Sequence, residues 1–297
     1  IEARDADNNL DRDFSEQITV KLAVGPGNLL GVKTVQSAAG AAIFTNLAYS
    51  ANTDQESFTI QADDEANVHT DLAFVNDAPR TADVVASKLV FTQDPYQNGQ
   101  AAKTIVSGIP FSVQPVVEAA DDSGKRDVNF VDRVFLNSGG AGSLSGGTSE
   151  TAAAGVAVFK NAGYKTSVDL EAFTLSADDT TAGQEGKLSG SFRSSLLTAN
   201  IIAVKLVFAA SPFDSRKPGA HGSVISGTPF ESQPVIQAWD KDGNLDMDFN
   251  GLVTLSLQSG AGEFDGAMAL QSTAGAADFS GPATMIDFSA SSLFCEP

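Results

Sequence analysis

Cysteine occurs once in the 297 residues, at Cys295, so no disulfide can close within the chain and its stability must come from packing or from metal. Histidine occurs twice, and His69 and His221 sit in predicted loops at non-equivalent points of the sequence, which marks both as incidental. Basic residues are scarce: 18 Lys and Arg stand against 37 Asp and Glu, a net charge of −19. Such a surface repels nucleic acid and anionic lipid and attracts divalent cations. No apolar run reaches the ~20 residues that cross a bilayer, and no signal peptide is visible at residue 1. We therefore expect no nucleic-acid partner and no membrane insertion in this segment. Neither a G-x-S-x-G elbow nor an H-E-x-x-H helix occurs, and the glycine-rich stretch from Gly139 lacks the lysine of a phosphate loop. Catalysis is not expected.

What the chain does have is itself, repeated. Lys-Leu-Val-Phe occurs at Lys88 to Phe91 and again at Lys205 to Phe208, 117 residues on. Ser-Gly-Ile-Pro-Phe from Ser107 returns as Ser-Gly-Thr-Pro-Phe from Ser226, and an acidic cluster ending in Phe appears at Phe14, Phe130 and Phe249. Solenoid units are 20 to 50 residues long, so a period this long is a whole domain. The copies divide as 1–78, without its first strand, 79–195, complete, and 196–297, without its last strands. Between them, the stretches from Asp77 and Ser195 hold too few glycines for a floppy linker.

Within each copy the hydrophobic period is two. Ile18 to Leu22 aligns with Val134 to Ser138 and Val253 to Leu257, and Gly155 to Phe159 aligns with Gly40 to Phe44 and Gly275 to Phe279. Phe58 to Asp64 and Phe173 to Asp179 form a third set. Phe (19) far outnumbers Tyr (3) and Trp (1) and recurs at fixed positions of the repeat, as a core does. Trp239 has no counterpart in the other copies and reads as local packing. About seven short strands per copy, separated by glycine turns, predict an all-β fold of tandem immunoglobulin-like β-sandwiches with little or no helix.

The order V-x-A-x-D-x-x-G-N, apolar strand, G-x-G-x-L-x-G, A-G-x-A-x-F, F-T-L-x-A resembles bacterial Ig-like repeats, such as those of invasin and intimin-type adhesins. In the middle copy it runs through Val116 to Lys125, Arg133 to Ser138, Gly140 to Gly146, Ala153 to Phe159 and Ala172 to Asp179. The resemblance implies a bead of a surface stalk or adhesin shaft.

Acidic loops are the candidate sites. Asp240, Asp242, Asn244, Asp246 and Asp248 alternate around Gly243, and Asp5, Asp7, Asn9, Asp11 and Asp13 repeat the pattern. Five oxygen donors near one turn suit a hard cation that takes six to eight oxygens, and the absence of thiol and imidazole favours Ca²⁺ over zinc. Glu16 falls eleven residues after Asp5, but the glycine is misplaced for an EF-hand and strands follow. The middle copy is degenerate, with Asp121, Ser123, Lys125, Asp127 and Asn129. A second acidic pair, Asp63-Asp64 and Asp178-Asp179, closes the F-T-x-x-A-D-D strand, where calcium would stiffen the joint between beads. The alternative is a set of solvated acidic turns.

The expectation is an extracellular or cell-surface structural repeat protein, a semi-rigid stalk or fibre stiffened by calcium, whose partners are neighbouring repeats or like subunits. Recognition of a surface receptor or glycan by loops at one bead pole, and filament assembly by strand donation, are the other readings.

Overall fold

A computed structural model describes residues 1–64, 71–179, 188, 192–213, 224–281 and 287–289, so Cys295 and both histidines lie outside the described residues, as does most of the tail after Phe279. The fold is all-β, with no helix among the described residues. Among the described residues, three separate apolar cores form, one around Ile18, Val20 and Ala62, one around Leu89, Val134 and Phe173, and one around Ile236, Val253 and Phe279.

The middle copy shows the plan. Val116–Ala120 pairs antiparallel with Lys88–Gln93 on one side and Val156–Val158 on the other. Facing them, Arg133–Ser138 pairs with Ser149–Thr151 and with Leu175–Asp179, which also pairs with Phe192–Arg193. Both sheets contribute every second residue to one core: Val117, Ala119 and Ala157 from the first, Val134, Leu136, Leu175 and Ala177 from the second. That alternation follows from side chains pointing to opposite faces of a strand. A third ribbon joins Glu171–Phe173, Leu197–Asn200 and Thr104–Val106, the last two in parallel.

Glycine is required in one repeated turn. Ala39-Gly40, Ala154-Gly155 and Ala274-Gly275 all have positive φ at both residues, the signature of a two-residue type I′ turn. A Cβ on Gly155 would lie 2.1 Å from the Asp127 carbonyl oxygen, and Gly40 and Gly275 meet Asp11 and Asp246 in the same way. The turn is thus pressed against the acidic loop and fixes where that loop sits.

Backbone pairing runs on past residues 78 and 195. Arg80–Ala82 still pairs with the first copy, at Glu56 to Phe58. Leu197–Asn200 still pairs with the middle copy and buries Leu197 and Ala199 in its core. Strands are also shorter and more numerous than the seven expected, because long runs break, as at Thr174 between Glu171–Phe173 and Leu175–Asp179.

Candidate functional site

The two joints between copies are built alike, starting from a loop at the end of the upstream copy. In the first copy the Tyr49 hydroxyl donates to Glu56 Oε1 (2.7 Å) and accepts from the Gly27 amide (2.9 Å). In the middle copy Tyr164 donates to Glu171 (3.0 Å) and accepts from Gly142 (2.8 Å). Each tyrosine ring stacks on a phenylalanine, Phe58 or Phe173, with centroids 3.8 and 3.9 Å apart. Glycine precedes the stack because a Cβ on Gly142 would lie 2.7 Å from the Tyr164 ring. Burial and then the Glu171 carboxylate push the Tyr164 hydroxyl up to about 12. Burial works against the charge on Glu171, but hydrogen bonds from the Thr166 hydroxyl, the Ala141 amide and Tyr164 outweigh it and hold the carboxyl below its ordinary range. This Tyr–Glu pair orders the loop that carries Asp54 in one copy and Asp169 in the next.

Those two aspartates grip the downstream copy. Asp54 Oδ1 accepts the Val84 amide (2.7 Å) and Oδ2 accepts the Val128 amide (2.8 Å). Asp169 repeats this atom for atom, with Ile201 on Oδ1 and Met247 on Oδ2, both at 2.7 Å. Val84 and Ile201 belong to the connecting segment, whereas Val128 and Met247 belong to the next acidic loop. One carboxylate therefore ties linker and loop together. From the downstream side, Asp127 Oδ2 accepts the Ala86 amide (2.9 Å) and Asp246 Oδ2 accepts the Ala203 amide (2.7 Å). Asp127 and Asp246 are buried, while their first-copy counterpart Asp11 is exposed.

Around this shared frame the two joints differ in charge. In the first, the Lys125 ammonium of the downstream copy donates to Ser50 Oγ and to the Ala51 carbonyl. In the second, the cation comes from upstream: Lys165 meets Asp242 at 3.0 Å.

The acidic loops themselves are tight turns. Asp5 Oδ1 accepts the Asp7 and Asn9 amides and Oδ2 accepts the Asn9 side chain; Asp240 does the same with Asp242 and Asn244. The Asn9 amide and side chain hold Asp5 below its ordinary range. For Asp240, burial opposes the charge but the Asn244 bonds prevail, and its carboxyl is also lowered. The first donor of each predicted five is thus turned back onto its own loop. Asp11 accepts the Asp13 amide, and Asp242 pairs with Lys165 and Lys241.

The D-D pairs close their own copies. Asp64 accepts the Leu72 amide and Asp179 accepts the Leu188 amide, each through both oxygens at 3.2 and 3.3 Å. Asp63 pairs with Lys21. Burial raises Asp179, opposed by the Leu188 amide and reinforced by repulsion from Asp178 and Asp132.

Among the described residues, two groups of three aspartates bring carboxylate oxygens within 4.8 Å of one another: Asp63, Asp64 and Asp71, and Asp169, Asp246 and Asp248. Both offer only hard oxygen donors, the set a hard metal ion takes. The second group straddles the joint, and burial followed by Asp246 and Asp169 pushes Asp248 up to about 6. Four of the expected residues, Asp63, Asp64, Asp246 and Asp248, fall in these groups, whereas Asp5, Asp7, Asp11, Asp13, Asp178, Asp179, Asp240 and Asp242 do not, and the Asn9 and Asn244 side chains are bonded to Asp5 and Asp240. Asp54, Asp71 and Asp169 were not expected. The signal for two of them lay in the repeat: Asp54-Gln55-Glu56-Ser57-Phe58 and Asp169-Leu170-Glu171-Ala172-Phe173 share D-x-E-x-F.

Neither the family models nor the curated proteins searched contain a match to this chain.

Proposed function

We propose that this chain is part of an extracellular or cell-surface structural array, in which tandem immunoglobulin-like sandwiches form a semi-rigid stalk or fibre. The observation that carries this reading is the joint, in which Asp54 and Asp169 repeat the same two cross-copy hydrogen bonds on the same atoms. Beads on free linkers have no use for such a device. The mechanism is mechanical: each copy buries its own core, and each joint transmits direction to the next.

Calcium belongs to the same reading. At the second joint Asp169 comes from the upstream copy and Asp246 and Asp248 from the downstream one, so a bound divalent cation would neutralise their mutual repulsion and tie the copies together. Three carboxylates supply fewer than the six to eight oxygens Ca²⁺ takes, leaving further positions for water or backbone carbonyls.

Small-angle scattering of the metal-stripped chain, with and without Ca²⁺ and beside Asp248→Asn, tests both parts. A narrow, extended distance distribution is expected without metal. Ca²⁺ should narrow it further in the wild type and not in the variant. A broad distribution refutes the rod. A narrow one that Ca²⁺ leaves unchanged, without calorimetric binding, refutes the calcium site alone.

A further inference from the structure

Asparagine is followed by glycine twice in the chain, at Asn98-Gly99 and at Asn250-Gly251. Both pairs have the same chemistry open to them. The glycine amide nitrogen can attack the asparagine side-chain carbonyl carbon, because no Cβ stands in its way. The fold treats the two pairs in opposite ways.

Asn98 and Gly99 are the central residues of a turn in the connection between Lys88–Gln93 and Thr104–Val106. The Gln100 amide donates to the Gln97 carbonyl at 3.2 Å. Gly99 has a φ of 82° and Asn98 has no positive φ, which makes the turn type II. Both residues are exposed. Among the described residues the Gly99 amide donates no hydrogen bond and the Asn98 carboxamide has no partner. Nothing lies within 4 Å of a Cβ placed on Gly99, and the hollow beside the pair is lined only by its own loop, Asp94 to Lys103. No other element covers the turn. Its base is held all the same, by the Tyr96 and Val113 amides bonded to each other's carbonyls and by the Gln97 amide on the Thr104 carbonyl.

Asn250-Gly251 is pinned on both sides. The Phe249 amide donates to Asp246 at 2.8 Å, and the Phe249 side chain packs on the third core. A Cβ on Gly251 would lie 2.6 Å from the Phe249 ring. The Gly251 carbonyl accepts both the Ser272 amide (3.0 Å) and its hydroxyl (2.9 Å). Reaction needs the asparagine Cγ to swing onto the next amide nitrogen, a near-attack geometry that depends on backbone rotation. That rotation is open at Asn98 and blocked at Asn250.

We infer that Asn98 is a site of spontaneous deamidation in the folded protein, while Asn250 is protected. The Gly99 nitrogen bonds to Asn98 Cγ, and the Cγ–Nδ2 bond breaks. The proton lost from the Gly99 amide is returned, through water, to the leaving amine, and ammonia departs from a five-membered succinimide. Water then opens the ring. Addition at Cγ leaves aspartate; addition at the backbone carbonyl leaves isoaspartate, whose main chain runs through Cγ and gains one methylene. One water enters, one ammonia leaves, and nothing is oxidised or reduced. Either product adds a negative charge at the turn, and isoaspartate lengthens the stretch that the Gln97–Gln100 bond closes. The inference does not rest on the proposed array; within one, the middle copy is the copy whose charge changes with age.

The test incubates the full folded chain in mildly alkaline buffer and follows digested samples by mass spectrometry. The peptide holding Asn98 should gain one mass unit at least tenfold faster than the peptide holding Asn250, and an isoaspartyl methyltransferase should label it. In guanidinium the two sites should react at similar rates, because the unfolded chain constrains neither. Asn98→Gln, which would have to close a larger ring, should remove the early acidic species seen on ion exchange. No reaction at Asn98, equal rates at the two sites of the folded chain, or an early acidic species that survives in Asn98→Gln overturns the inference. A preference for Asn98 that is just as strong in guanidinium overturns it too, since the fold would then have no part in the choice.

Discussion

Replacing Asp169 by alanine should free the third copy from the middle one while leaving both folded. Asp169 Oδ1 and Oδ2 hold the Ile201 and Met247 amides at 2.7 Å, and the side chain is 8% exposed. Hydrogen bonds to a charged group contribute about 1.5–3 kcal/mol each, so the pair is worth about 3–6 kcal/mol to the joint. Even the lower figure changes the closed-to-open ratio by more than a hundredfold. The cores are untouched, because Asp169 belongs to none of them. Spin labels on an exposed strand residue of each copy, read by dipolar spectroscopy, should give one narrow distance in the wild type and a broad distribution in Asp169→Ala. Asp169→Asn retains one acceptor oxygen and should fall between. Asp54→Ala should act on the first joint in the same way and leave the second unchanged. A narrow distribution in Asp169→Ala would show that the connecting segment alone sets the angle, and the cross-copy bonds would lose their assigned role.

Glu171→Gln should cost about 1–3 kcal/mol and flatten the acid limb of unfolding. The carboxyl is lowered from 4.5, so its contribution is fully present above that value and is lost as pH falls through the folded pKa; chemical denaturation at successive pH values measures this. Gly124→Ala, at φ 82° with nothing within 4 Å of the new Cβ, should cost about 1–2 kcal/mol of left-handed strain. Gly155→Ala should cost more, since the Asp127 carbonyl blocks its Cβ at 2.1 Å, and equal melting temperatures for the two variants would contradict the close approach.

Strands and cores were legible in the sequence because alternation is written locally: Val134 and Leu136 point inward, and Phe135 and Asn137 do not. The joint was not legible because its bonds span 74 and 78 residues and depend on single polar side chains in loops. Acid spacing alone does not say which carboxylates meet: Asp5 and Asp240 accept hydrogen bonds from amides of their own loops, whereas Asp246 and Asp248, from the same alternating five as Asp240, converge with Asp169. Each converging group joins a near pair in sequence, Asp63 with Asp64 or Asp246 with Asp248, to a third aspartate that local spacing does not reveal, Asp71 or Asp169. The Tyr–Glu pair is hard to read in the sequence because tyrosine is scarce, yet two of the three tyrosines, Tyr49 and Tyr164, form it.

The lysines at the joints make the order of the copies matter. Ser50 and Lys165 occupy corresponding upstream positions, one residue after the paired tyrosines, and Lys125 and Asn244 occupy corresponding downstream positions, four residues after Asp121 and Asp240. Each joint therefore has one lysine here, on opposite sides. Placing one on both sides should repel: like charges 4 Å apart cost about 1 kcal/mol in water and about 4 at a protein surface, with the lower figure apt for side chains able to turn away. Ser50→Lys in the full chain should broaden the first joint, and 0.5 M salt should narrow it again, since the screening length falls well below 10 Å. Lys125→Asn in the same chain should also restore it, reproducing the charge pattern of the second joint. Wild-type salt dependence at the second joint should have the opposite sign, because there salt weakens the Lys165–Asp242 pair. If Ser50→Lys broadens the joint regardless of salt and Lys125→Asn does not rescue it, the effect is steric. The lysines would then be surface residues that play no part in how one copy recognises the next.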